Sequence, residues 1–107
     1  MSRSPTSCET MAQLRMEIDA LDDALIEMLV RRTGYVDRAV TLKRREGLPP
    51  RTTGRVAEVI AHVRERAEAQ GLDTDLAETL WTALIDWGIA REAHSMGVKE
   101  DAIPPRT

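Results

Sequence analysis

The sequence predicts an all-α protein with three helices per chain, the first of them very long, that pairs with a second copy of itself. Aromatic residues make up only 3% of the 107 residues and Phe is absent, so aliphatic side chains must fill the interior, and that mix suits helices better than sheets. Apolar residues recur at steps of three and four along the first half of the chain. Gly47 with Pro49 and Pro50, and later Gly71, divide the remainder into two shorter segments.

The first predicted helix runs without proline from about Cys8 to Glu46. A helix of about 40 residues is about 55–60 Å long, which is far too long for a compact domain of this size. We therefore expect a second copy of the chain to pack along it in a homodimer. Its apolar stripe consists of Met11, Leu14, Ile18, Leu21, Leu25, Met28, Tyr35, Ala39 and Leu42.

Two further helices follow the loop at residues 51–54, whose threonines can cap the second helix. Gly71 ends the second helix, Asp73 or Thr74 caps the third, and the third fades near Gly97. The second helix has an apolar face of Val56, Val59, Ile60, Val63 and Ala67. On the third helix, the residues predicted to face inward are Leu76, Leu80, Ala83, Leu84, Trp87 and Ala90.

Length and composition predict one helical domain over residues 8–97, with flexible tails at 1–7 and 98–107. The net charge of −3 gives no overall positive field to recruit nucleic acid. The single cysteine, Cys8, allows neither an intrachain disulfide nor a cysteine-based zinc site. No apolar run approaches the ~18 residues of a membrane span and no signal-peptide core follows the first residue, so we expect a cytoplasmic protein with no membrane partner.

One position interrupts the apolar stripe of the long helix, because Arg32 stands where a hydrophobic residue is expected. Burying a lone guanidinium is costly, so Arg32 should meet an anion or a water-filled cavity. Lys43 follows 11 residues later, which places it about 20° from the same face and about 16 Å along the axis. The two long side chains can therefore lean toward a common anionic ligand.

Arg15 lies 17 residues before Arg32, about 25 Å away along the helix and about 100° round it. It cannot reach the same small ligand within one subunit, but Arg15 of an antiparallel partner could. If Arg15 takes part, the geometry favours a binding site shared between two subunits.

The segment LRMEIDALDDALIEMLVRRTGYVDRAVTLK at residues 14–43 resembles the opening helix of the all-helical, type II chorismate mutases. The resemblance rests on Arg15, Arg32 and Lys43 and continues through Arg55 to the end of the third helix, over about residues 8–97. The segment IDWGIARE at residues 85–92 is similar to the isochorismate-pyruvate lyase branch of that family.

The resemblance implies an intertwined homodimer with two equivalent sites, each binding a small dicarboxylate without a metal or other cofactor. Arg32, Lys43 and Arg55 of one subunit would join Arg15 of the other. Lys43 would also touch the ether oxygen of chorismate, the substrate that rearranges to prephenate. The expected catalytic residues are Lys43, Arg32 and Glu92, the last acting in its protonated form as a hydrogen-bond donor.

Four positions differ from the typical bacterial mutase. Val56 replaces a glutamate that accepts a hydrogen bond from the ring hydroxyl, Gly88 replaces a serine, Thr52 replaces an acidic residue, and Glu92 replaces a glutamine. These departures leave open an isochorismate-pyruvate lyase that forms salicylate, or a mutase for an amino-substituted chorismate.

A non-enzymatic helical dimer is a third possibility. It would bind nucleic acid or protein through Arg31, Arg38, Arg44 and Arg45. The acidic balance of the chain argues against this reading, as does the lack of a short helix-turn-helix pattern.

Overall fold

The computed structural model describes residues 3–98 and contains helices and no strands over that range. A short 3-10 turn at Pro5–Ser7 precedes α1 (Met11–Glu46), α2 (Thr53–Gln70) and α3 (Thr74–Met96). The all-α prediction with a long first helix is confirmed. The predicted tails fall partly outside the described residues, at 1–2 and 99–107, whereas residues 5–7 form the 3-10 turn.

Two of the three α-helices begin with a side-chain cap. The Thr10 hydroxyl accepts a hydrogen bond from the backbone N–H of Gln13 at 3.1 Å and so caps the first turn of α1. The Asp73 carboxylate accepts from two backbone N–H groups in the first turn of α3. At α2 the capping residue is Thr52, which makes no side-chain capping bond.

All three α-helices end at glycines in the left-handed conformation, with φ of 70° at Gly47, 78° at Gly71 and 72° at Gly97. Glycine reaches this region without the steric cost that a Cβ atom imposes. The sequence therefore predicts the last turn of each helix correctly.

The described residues divide into two compact units, one up to Gly34 and one from Tyr35 onward, and α1 contributes to both. In the first unit, most of the large apolar side chains of α1 are exposed. They are Met11, Met16, Ile18, Leu21, Leu25, Ile26, Met28 and Val30. Packing of a second copy along this helix stays a prediction.

The second unit holds the core, which is built mainly by α2 against α3. One cluster joins Val56 to Ile85 and Ile89, and Val59 and Ile60 pack against it. A second cluster consists of Val63, Ala67 and Ala77, with Val59 and Trp81 alongside. The predicted inward face of α2 is thus confirmed.

The predicted inward face of α3 is wrong for the single chain, since Leu76, Leu80 and Trp87 are exposed, the last to 51%. The buried residues of α3 are Ala77, Ile85, Gly88, Ile89, Glu92 and Ala93. Helix α3 is apolar on more than one face, and its small residues allow the neighbouring helices to come close. Larger side chains on the other face stay uncovered.

No helix within residues 3–98 combines the length and the apolar character that a membrane crossing requires. A cytoplasmic location stays a prediction.

Candidate active site

The centre of the candidate site is an ion pair between Lys43, near the end of α1, and Glu92, near the end of α3. Lys43 Nζ lies 2.7 Å from Glu92 Oε1, and the side chains are only 18% and 8% exposed. Lys43 Nζ also donates a hydrogen bond of 2.5 Å to the carbonyl oxygen of Pro50. An ammonium group is therefore held in a largely dehydrated position, where its charge acts more strongly than in water.

Glu92 Oε1 is buried, yet it accepts no hydrogen bond from the described residues, although the Lys43 ammonium is 2.7 Å away. The close contact and the missing hydrogen bond agree if the ammonium does not lie along a lone-pair direction of the carboxylate oxygen. The contact is then an electrostatic attraction between two charges and not a well-directed hydrogen bond. The oxygen thus retains capacity for a further hydrogen bond, which a ligand could fill.

Further polar contacts fasten α3 to the last part of α1 around this pair. Arg91 donates two hydrogen bonds to the Asp37 carboxylate, at 2.5 and 3.0 Å, and its guanidinium lies 5.4 Å from the centre of the Trp87 ring. The hydrogen bond from Arg91 holds the pKa of Asp37 below its usual value. Arg44 donates to the backbone oxygen of Ser95 at 2.6 Å.

The predicted ligand-contacting positions Val56 and Gly88 are both buried in the second unit. Val56 packs against Ile85 and Ile89, so this position provides an apolar surface and no hydrogen-bond acceptor. A Cβ atom added at Gly88 would lie 3.6 Å from the methyl groups of Val36, an ordinary van der Waals distance.

The described hydrogen bonds and ion pairs of Arg55 do not include Lys43 or Glu92. Its side chain is 66% exposed and forms a hydrogen-bonded ion pair with Glu58, three residues along α2. The contribution of Arg55 to a carboxylate site stays a prediction.

Arg15 and Arg32 belong to the first unit, while Lys43 and Glu92 belong to the second. Arg32 is half-buried and Arg15 is exposed, and no hydrogen bond or ion pair is described for either among residues 3–98. The structure thus brings together Lys43 and Glu92, and the convergence of the two arginines on them stays a prediction.

Sequence reasoning missed Arg51, which directly follows Pro50. Its side chain is only 12% exposed, and its Nη2 atom lies 3.2 Å from Asp86 Oδ1. Its Nη1 atom is buried and has no hydrogen-bond acceptor among the described residues. Helical periodicity gives no information about a loop residue, and the only available signal was an arginine confined between two prolines and a helix start.

The model of the type II chorismate mutase family matches residues 14–93. The three-helix fold and this match over most of the chain show that the protein belongs to that family. The isochorismate pyruvate lyase of Pseudomonas aeruginosa is 33% identical over 90 residues, which cover 84% of this chain and 88% of the relative.

Two other relatives have different names. The 4-amino-4-deoxychorismate mutase of Streptomyces venezuelae is 32% identical over 80 residues, which cover 75% of this chain and 78% of the relative. The T-protein of Enterobacter agglomerans is 40% identical over 65 residues, which cover 61% of this chain and 17% of that longer protein. The family is therefore established, and these relatives carry more than one activity in their names.

Proposed function

We propose that the protein is a chorismate mutase that rearranges chorismate to prephenate. The observation that carries this proposal is the largely buried Lys43 ammonium beside Glu92. In this reaction an ether C–O bond breaks while a C–C bond forms within the same molecule, so no nucleophile is needed. The protein must hold the reactive conformer and stabilise the negative charge that develops on the ether oxygen.

Each cationic residue has a role in this proposal. Lys43 donates to the ether oxygen and to one carboxylate. Arg32 and Arg15 of the partner subunit bind the two carboxylates, for which the planar guanidinium is well shaped. Arg55 is a further carboxylate contact.

Glu92 would act as a hydrogen-bond donor. In the ligand-free chain its carboxylate lies against the Lys43 ammonium, with Oε1 2.7 Å from Nζ. In the complex, the protonated carboxyl would donate a hydrogen bond to the ether oxygen. Comparing the rates of the wild type and Glu92→Gln tests this role, because the amide of glutamine can donate the same hydrogen bond.

The shared site requires a homodimer, and the exposed apolar side chains of α1 support one. Introducing a charge at Leu25 should dissociate the dimer and abolish activity, because a carboxylate would be buried in an apolar contact. Analytical ultracentrifugation of Leu25→Glu measures this, and Leu72→Glu is a control at an exposed leucine outside α1. A wild-type monomer with full activity would contradict the shared site.

Isochorismate-pyruvate lyase activity is a second candidate. It is favoured by the apolar environment of Val56, which offers no acceptor to a ring hydroxyl. The relative of that name also aligns over most of both chains. The same apolar position keeps an amino-substituted chorismate possible as the substrate of a mutase.

A product assay separates these candidates. The protein is incubated in turn with chorismate, isochorismate and 4-amino-4-deoxychorismate, and prephenate, salicylate, pyruvate and the amino-substituted prephenate are quantified. Lys43→Ala is the control for contaminating host enzyme. Prephenate from chorismate at a rate abolished by Lys43→Ala is the expected result, and no turnover of any substrate would favour the non-enzymatic reading.

A further inference from the structure

We infer that Arg51 is an additional anion-binding residue of this site, whose Nη1 group donates a hydrogen bond to a carboxylate of the substrate. The inference rests on the proposed function, because it assigns a ligand group to a side chain beside Lys43. It adds a residue that lies outside the set predicted from the sequence.

The guanidinium of Arg51 has a buried donor without an acceptor among the described residues. Arginine remains charged under all ordinary conditions and carries five N–H donors. In Arg51 the Nη1 atom is buried and unpaired among residues 3–98. A buried charged donor without an acceptor is costly, so such a group in a native protein calls for an acceptor that the described residues do not supply.

The backbone of Arg51 lies close to the Lys43 ammonium. The ammonium of Lys43 lies 2.5 Å from the Pro50 carbonyl oxygen. That oxygen belongs to the peptide unit that joins Pro50 to Arg51, and peptide geometry places it about 3 Å from the Cα atom of Arg51. The Arg51 Cα atom is therefore about 5–6 Å at most from the ammonium, which is within the reach of an arginine side chain.

Asp86 holds the guanidinium of Arg51 in place. Asp86 Oδ1 accepts from Nη2 at 3.2 Å, which fixes one edge of the planar group. Asp86 is 43% exposed, so its charge is partly screened and neutralises Arg51 incompletely. In addition, α2 begins two residues later with no acidic side chain in its first turn, so its positive end adds to the local positive potential.

Arg51 also differs from the arginine that the resemblance selected. Arg55 is largely exposed and its guanidinium already pairs with Glu58. Arg51 has the burial and the free donor that carboxylate recognition requires.

The test uses full-length Arg51→Gln and Arg51→Lys. Losing one charge-assisted hydrogen bond should raise KM for the turned-over substrate, and the Kd for prephenate measured by titration calorimetry, about 10–100-fold. Arg51→Lys keeps the positive charge but lacks the planar guanidinium, so its KM and Kd should lie between those of the wild type and those of Arg51→Gln. The exposed Arg45 provides the matched control, Arg45→Gln, which should match the wild type.

Asp86→Asn provides a second measurement if Arg51→Gln does not fold. It should raise KM by a few-fold while kcat stays near the wild-type value, because Asp86 holds one edge of the Arg51 guanidinium and has no assigned contact with the substrate. Circular dichroism and sedimentation of every variant verify the fold and the oligomeric state.

The outcomes are distinguishable. Wild-type affinity for prephenate in a folded Arg51→Gln would overturn the role of Arg51 and leave the proposed function intact. A change in subunit association with unchanged affinity would also overturn it, because the missing acceptor would then belong to the other subunit. A wild-type protein that neither turns over chorismate nor binds prephenate would instead refute the proposed function.

Discussion

The Lys43–Glu92 pair allows one substitution to separate stability from activity. Replacing Glu92 with glutamine keeps the size of the side chain and removes its charge. We expect Glu92→Gln to destabilise the ligand-free protein while it raises activity in neutral and basic solution, because the amide can donate a hydrogen bond at every pH.

The magnitude follows from the 2.7 Å separation of the two charges. At an effective dielectric constant of about 20, this distance corresponds to about 6 kcal/mol of gross attraction. The loss of hydration of two largely buried ions offsets most of it. Lys43 also keeps its hydrogen bond to Pro50, so we expect a net loss of about 1–3 kcal/mol in the free energy of unfolding.

Activity should change in the opposite direction. In the wild type the Glu92 carboxylate competes with the anionic substrate for the Lys43 ammonium, and Glu92→Gln removes this carboxylate. If the competition costs about 1 kcal/mol of binding free energy, its removal corresponds to about a five-fold lower KM. Across an assay range of about pH 5 to 8, kcat/KM of the wild type should fall with rising pH if the protonated carboxyl is the donor, and the variant should have a nearly flat profile.

The assays are urea unfolding and initial rates across this pH range. Glu78→Gln is the control, because Glu78 also pairs with an arginine but is 48% exposed. An unchanged pH slope in Glu92→Gln would refute the role of the protonated carboxyl. Unchanged stability would show that the ion pair contributes nothing to the fold.

Three further predictions concern the second unit. Ile89→Ala should lower the free energy of unfolding by about 2–4 kcal/mol in urea titrations, because Ile89 is 5% exposed within the core, and a loss below about 1 kcal/mol would contradict that packing. Asp37→Asn should lower the melting temperature above about pH 4 and have little effect in stronger acid: the Arg91 hydrogen bond lowers the pKa of Asp37, so its stabilisation is lost as the pH falls through that lowered value. Gly88→Ala should raise the stability of the free protein by up to about 1 kcal/mol in the same titrations, since the new methyl group meets Val36 at 3.6 Å, and a clear loss would mean that the helices cannot accommodate it.

Helix boundaries were the most predictable part of this fold because local chemistry decides them. A glycine at Gly47, Gly71 or Gly97 can adopt the left-handed conformation, and Asp73 can cap the first turn of α3, whatever lies elsewhere in the chain. Which side chains of α3 face inward depends instead on which neighbouring helices cover them. Trp87 and Ile89 are both apolar, and periodicity alone cannot decide between their faces.

The sequence singled out candidate site residues most clearly where a charged side chain interrupts an apolar helical stripe, as at Arg32. Lys43 was selected because it shares a helical face with Arg32, and Glu92 because of the resemblance. Neither argument could foresee that the two would pair in the free chain. Arg51 escaped because the environment of a loop arginine is set by distant residues, here Asp86, 35 positions away.

The atom of Pro50 that accepts a hydrogen bond from Lys43 is a main-chain oxygen. Every amino acid carries that oxygen, so side-chain replacement cannot delete it. The pyrrolidine rings fix φ at Pro49 and Pro50, and Pro50 also restricts ψ of Pro49, so much of the backbone freedom ahead of this oxygen is removed. Combinatorial libraries that diversify this loop should therefore keep both prolines. Natural sequence variation can change the other side chains of the loop while the hydrogen bond from the Lys43 ammonium to the main chain persists.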